Sequence, residues 1–71
     1  MITLAQIRAR LQETLRQSTM TQTELAGKLG ISQSTVAHYL RGDVMPSLDT
    51  FANLCSVLDA DPAYILCLSD T

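Results

Sequence analysis

The chain has 71 residues, 46% of them apolar, with one Phe, two Tyr and no Trp. That suffices for one domain with an aliphatic core and leaves no material for a second. A net charge of −2 excludes a general polycation, and no apolar run approaches the ~18 residues of a membrane span.

Helix-length segments alternate with turn signals, and none keeps a period of two for the length of a strand. An all-α fold of five helices is expected. The first runs over about 3–17, with Thr3 as cap and Gln6 at the capping-box position. Its apolar stripe is Leu4, Ile7, Leu11 and Leu15, one face of a 3.6-residue period. The second covers about 22–29, opened by a capping box of Thr21 and Glu24, turned inward through Leu25, Ala26 and Leu29, and stopped by Gly30. The third follows from Ser32 as cap to about Leu40 and is closed by Gly42. The fourth starts after Pro46 with Ser47 as cap, and buries Leu48, Phe51, Leu54, Cys55 and Leu58. In the last, Asp61 caps and Pro62 pre-sets the first turn of a helix reaching Ile65 and Leu66.

Helices two and three are joined only by Gly30-Ile31-Ser32. So tight a connection forces a steep crossing, as in a helix-turn-helix unit. The crossing needs a small residue at the closest approach, which Ala26 supplies. It also needs a left-handed residue at the corner (Gly30), a plug turned inward (Ile31) and an apolar residue midway along the next helix (Val36). The helix-turn-helix is expected over about 22–41, within a single domain spanning 1–71.

Residues 20–66, MTQTELAGKLGISQSTVAHYLRGDVMPSLDTFANLCSVLDADPAYIL, resemble the XRE family, which includes the Cro and CI repressors of lambdoid phages. The unit itself, Arg41-Gly42, Pro46-Ser47, Leu58 and the closing Asp61-Pro62-Ala63-Tyr64-Ile65-Leu66 carry the likeness. It implies a compact lambda-repressor-like fold and binding to double-stranded DNA, with helix three in the major groove. The residues fit that role. Gln33 can bond adenine N6 and N7 together, and Ser34 and His38 share its side of the helix, away from Val36. Thr35 is a surface residue on this reading. The resemblance places Gln22, Arg41 and Ser47 on phosphates, with Gln22 bracing Gln33. Neutral donors suit this surface better than acids, which the backbone would repel.

Charge is unevenly spread. All five basic residues (Arg8, Arg10, Arg16, Lys28, Arg41) lie in the first 42 positions against Glu13 and Glu24. From Asp43 onward there are only acids: Asp43, Asp49, Asp59, Asp61 and Asp70. Such asymmetry marks a polyanion-facing half. The sequence also departs from the family. The first helix is about a turn longer, Leu15 stands where relatives often carry Arg, and the loop 43–45 is poor in bases.

A subunit reading three or four base pairs alone is too weak, so a homodimer on a pseudo-palindromic site is expected, acting as a Cro-like repressor. With no further domain after the fifth helix, dimerisation falls to the domain itself, around Leu58, Ile65, Leu66, Cys67 and Leu68, of which Leu58, Ile65 and Leu66 suit the core better. Two other readings stay open: an autorepressing antitoxin with a protein client, and a helix-turn-helix used only to bind protein. In both, the acidic 43–71 part meets the partner. No enzyme, cofactor or metal is expected, because His38, Cys55 and Cys67 lack the close ligand pairs of a zinc site. Arg8 and Arg10 interrupt any signal-like start, and the cysteines form no staple, so a cytoplasmic protein with reduced thiols is expected.

Overall fold

A computed structural model of the chain describes residues 1–70. Five helices follow in order: α1 (Leu4–Gln17), α2 (Gln22–Leu29), α3 (Gln33–Arg41), α4 (Leu48–Leu58) and α5 (Pro62–Ile65). There is no strand among the described residues, so the fold is all-α.

Helix starts follow local chemistry. Thr3 Oγ1 accepts the Gln6 N–H at 3.3 Å while Gln6 Oε1 accepts the Thr3 N–H at 2.8 Å. Thr21 and Glu24 form the same reciprocal pair at the start of α2. Ser32 Oγ accepts from the Thr35 N–H at 3.2 Å, and Asp61 accepts from Ala63 ahead of Pro62. Each satisfies a donor that the first helical turn leaves free. The fourth start differs from expectation. Ser47 holds the cap position of α4 but makes no cap hydrogen bond, because its hydroxyl is drawn to Asp49 Oδ1, 2.6 Å away.

Every helix end after that of α1 shares one device. After α2, α3, α4 and α5 the chain enters the left-handed region at Gly30, Gly42, Asp59 and Cys67. The next N–H then reaches back five residues: Ile31 to Ala26, Asp43 to His38, Ala60 to Cys55 and Leu68 to Ala63. These bonds satisfy last-turn carbonyls and reverse the chain within two residues. α3 runs one residue past Leu40, to Arg41, whereas α5 stops at Ile65 with Leu66 as its cap.

One core joins the helices: Leu11, Leu15, Leu25, Ala26, Val36, Tyr39, Leu54, Cys55 and Ile65 are buried, and Ile31, Leu29, Phe51 and Leu58 pack on it half-buried. Two expected core residues are not there: Leu4 is 56% exposed and Leu48 87%. Both have inward helical phase, but each is the first residue of its helix. Side chains tilt toward the helix N-terminus, which carries these two past the end of the bundle.

Polar ties from α1 complete the packing. Arg10 donates from one nitrogen to the carbonyls of Tyr64 and Ser69, both at 2.7 Å, and lies 4.6 Å over the Tyr64 ring. The Tyr64 hydroxyl donates to Glu13 at 2.8 Å. Gln12 Nε2 donates to the Leu40 carbonyl at 2.9 Å and so fixes the end of α3. Cys55 and Cys67 are free thiols; burial, then the Asp61 charge, push Cys55 up from 9.0, which leaves it inert.

Candidate nucleic-acid interface

α3 is held on one side and open on the other. Val36 and Tyr39 are buried, and Leu40 packs half-buried beside them. The rest of the helical circumference carries Gln33, Ser34, Ala37, His38 and Arg41. Gln33 to Arg41 spans about 12 Å of helix axis, comparable to the ~12 Å width of the B-DNA major groove. The close approach of α2 that sets α3 in place rests on Ala26, 4% exposed, and on the left-handed Gly30 with φ of 69°.

Individual side chains are in different states. Gln33 is exposed and its amide has no hydrogen-bond partner among the described residues. The Ser34 hydroxyl lies 3.2 Å from Ser32 Oγ, and that of Thr35 lies 2.7 Å from the same atom. Thr35 is therefore half-buried cap support and not a free surface residue. Gln22 is half-buried at the first position of α2, and no hydrogen bond joins it to Gln33.

At the other end of α3, His38, Arg41 and Asp43 form a cluster. Arg41 Nε donates to Asp43 Oδ2 at 2.9 Å, and its Nη2 lies 2.9 Å from His38 Nδ1. His38 Nδ1 is also 3.3 Å from Asp43 Oδ2. While Nδ1 accepts from Arg41 it cannot donate to Asp43, so the two contacts are alternatives set by the imidazole proton. The Arg41 hydrogen bond, then that of His38, holds the Asp43 carboxyl below its usual 3.8. Asp43 is thus fully ionised at neutral pH and offsets the Arg41 charge. The cluster exists because Gly42, with φ of 81°, folds the chain back beside its own helix.

Ser47 is also engaged. Its hydrogen bond, followed by backbone donors, lowers the Asp49 carboxyl, so an anion sits at the start of α4 where the resemblance implies a phosphate. The Ser47 hydroxyl is not a free donor there, and the backbone N–H groups of Asp49 and Thr50 serve the Asp49 carboxylate as well.

Sequence reasoning passed over Ala37. It lies between Gln33 and Arg41 on the open face, and a methyl is a group suited to packing against a thymine methyl. Only the helical phase, once Val36 and Tyr39 are fixed inward, marks it.

Residues 11–65 match the model of the family described as Helix-turn-helix. The chain belongs to the helix-turn-helix family. The match begins inside α1 and closes on the last residue of α5, so this helix-turn-helix domain is of the XRE type, a DNA-binding regulatory domain. No curated protein and no solved structure matches it. No helix among the described residues is long and apolar enough to cross a membrane, and no group of three or more His, Cys, Asp or Glu gathers where an ion would sit.

Proposed function

We propose that this helix-turn-helix protein is a sequence-specific transcriptional repressor of the Cro-like kind that binds a pseudo-palindromic operator as a homodimer. α3 lies in the major groove, with Gln33, Ser34 and His38 at base edges and Ala37 against a thymine methyl. Gln22, Arg41 and the α4 start at Ser47 meet the backbone. The observation that carries this reading is Gln33: an exposed amide, without a hydrogen-bond partner among the described residues, at the N-terminal end of a helix whose other side is buried. Such an end presents its side chains to base edges while its own N–H groups favour phosphate.

The test is selection from randomised duplexes about two helical turns long, repeated with Gln33→Ala. An enriched inverted repeat with an adenine at the position lost in the variant supports the reading. The variant should lose roughly 1–3 kcal/mol of discrimination at that base with unchanged helicity. No enrichment even at low salt sinks it, and moves the search to a protein partner for the acidic 43–71 part.

A further inference from the structure

Next to the start of α4 the surface is apolar. Leu4 and Ile7 of α1, Met45, Leu48 and Phe51 of the following loop and α4, and Leu66 after α5 line a groove of about 200 Å³. Leu48 is 87% exposed and Leu4 56%, while Ile7, Met45, Phe51 and Leu66 are half-buried in its floor and walls. We propose that this groove is the face through which two copies of the chain associate. The choice of partner rests on the two-fold reading above; the groove itself belongs to the fold.

Area decides what kind of contact this is. An exposed leucine side chain offers about 100 Å² of apolar surface, so the patch amounts to about 300 Å² with its half-buried members included. Interfaces are about 57% apolar, which scales this to about 500 Å² per copy and about 1,000 Å² in all. That is the lower bound for a specific association. The dimer is therefore weak and concentration-dependent, and not an obligate one.

The patch is self-complementary. A two-fold axis along the groove sets the α1 rim of one copy against the α4 rim of the other. The projecting Leu48 of each then enters the hollow beside the Leu4 of its mate. DNA does not suit this groove, because apolar walls offer nothing to a phosphate. The chain after α5 does not fill it either: Arg10 holds the Ser69 carbonyl on another side of α1, where Met1, Ile2 and Cys67 line a separate cleft.

This relocates the interface from the C-terminal end. Ile65 is fully buried and belongs to the core; Leu58 also packs on the core, and of that set only Leu66 borders the groove.

The experiment is sedimentation of the full chain without DNA, from about 10 μM to about 1 mM. Leu48→Glu is compared with Leu68→Glu, which changes an exposed leucine outside the groove. The wild type should shift from monomer toward dimer, and Leu68→Glu should behave alike. Leu48→Glu should associate at least about tenfold more weakly, with unchanged helicity. A wild type monomeric throughout overturns the proposal and leaves the groove to an unlike protein. So does a Leu48→Glu variant that associates normally, or a Leu68→Glu variant that fails equally. Because no DNA is present, each of these results leaves base readout by Gln33 standing.

Discussion

Gly30 and Gly42 close α2 and α3 in the same backbone state, with φ of 69° and 81°, yet their surroundings differ. A β-carbon at Gly30 would meet nothing within 4 Å. One at Gly42 would lie 2.9 Å from Arg8 Cδ and 3.0 Å from Gln12 Nε2. Gly30→Ala should therefore cost only the left-handed penalty for a residue with a side chain, about 1–2 kcal/mol. Gly42→Ala carries that same penalty and must also push back the middle of the Arg8 stem. Moving Gln12 weakens its hydrogen bond to the Leu40 carbonyl, which adds about 1 kcal/mol. The expected total is about 2–3 kcal/mol, a large part of the several kcal/mol a domain this small has. Urea unfolding of both variants measures the difference. Equal destabilisation, with an unchanged denaturant slope, would refute the argument that α1 packs against the end of α3 through these two side chains.

Asp59 occupies the left-handed position that ends α4, with φ of 52°. Asp59→Gly should relieve that strain for a net gain of about 0.5–1 kcal/mol, seen as a melting temperature a few degrees higher; a lower one would contradict it. Burial, then the Asp49 charge, raise Tyr39 above 10.0, and the Glu13 hydrogen bond raises Tyr64. Both folded values exceed the unfolded one, so this stability is complete below about pH 10 and is lost as pH rises through the folded values. Urea midpoints at about pH 8 and about pH 11, with phenolate absorbance, should show the loss; two tyrosines titrating at 10.0 would not. Leu11, fully buried between α1 and the rest of the core, should cost about 2–5 kcal/mol when truncated to Ala.

How much of this was legible in the sequence follows the reach of each interaction. The caps at Thr3, Thr21, Ser32 and Asp61 close within three residues, so the local pattern contains them whole. The helix-turn-helix was legible for the same reason, since Ala26, Gly30, Ile31 and Val36 are spaced along eleven residues of chain. Asp59 and Cys67 gave no such sign, because neither is the glycine by which a sequence usually marks a left-handed position. Leu4 and Leu48 had the right periodicity and the wrong end of the helix. The Arg10 ties span 54 and 59 residues, beyond any local pattern. In the site, Gln33 stood out by residue type, whereas the pairing of Arg41 with Asp43 depends on the turn at Gly42 and emerges only when the chain is folded.

That pairing bears on how a protein with so few bases holds DNA. Arg10 is spent on two carbonyls and Arg41 on Asp43, so on the proposed reading the backbone term is small. Two or three ionic contacts per subunit release roughly four to six counterions from a dimer, a log–log salt slope of about −4 to −5. Asp43→Asn removes the acceptor that competes with the phosphate for Arg41. One contact per subunit completed in this way steepens the slope by up to about 2 and strengthens binding to every sequence alike. Random duplex gains as much as operator in that term, so total affinity rises while the base-by-base preferences set by Gln33 stay fixed. Fluorescence anisotropy against salt, with operator and scrambled duplexes, reads both quantities. An unchanged slope would mean that Arg41 does not reach the backbone. A changed base preference would mean that the cluster positions α3 itself, and that His38 takes its place at the base edges only while Asp43 and Arg41 hold it there.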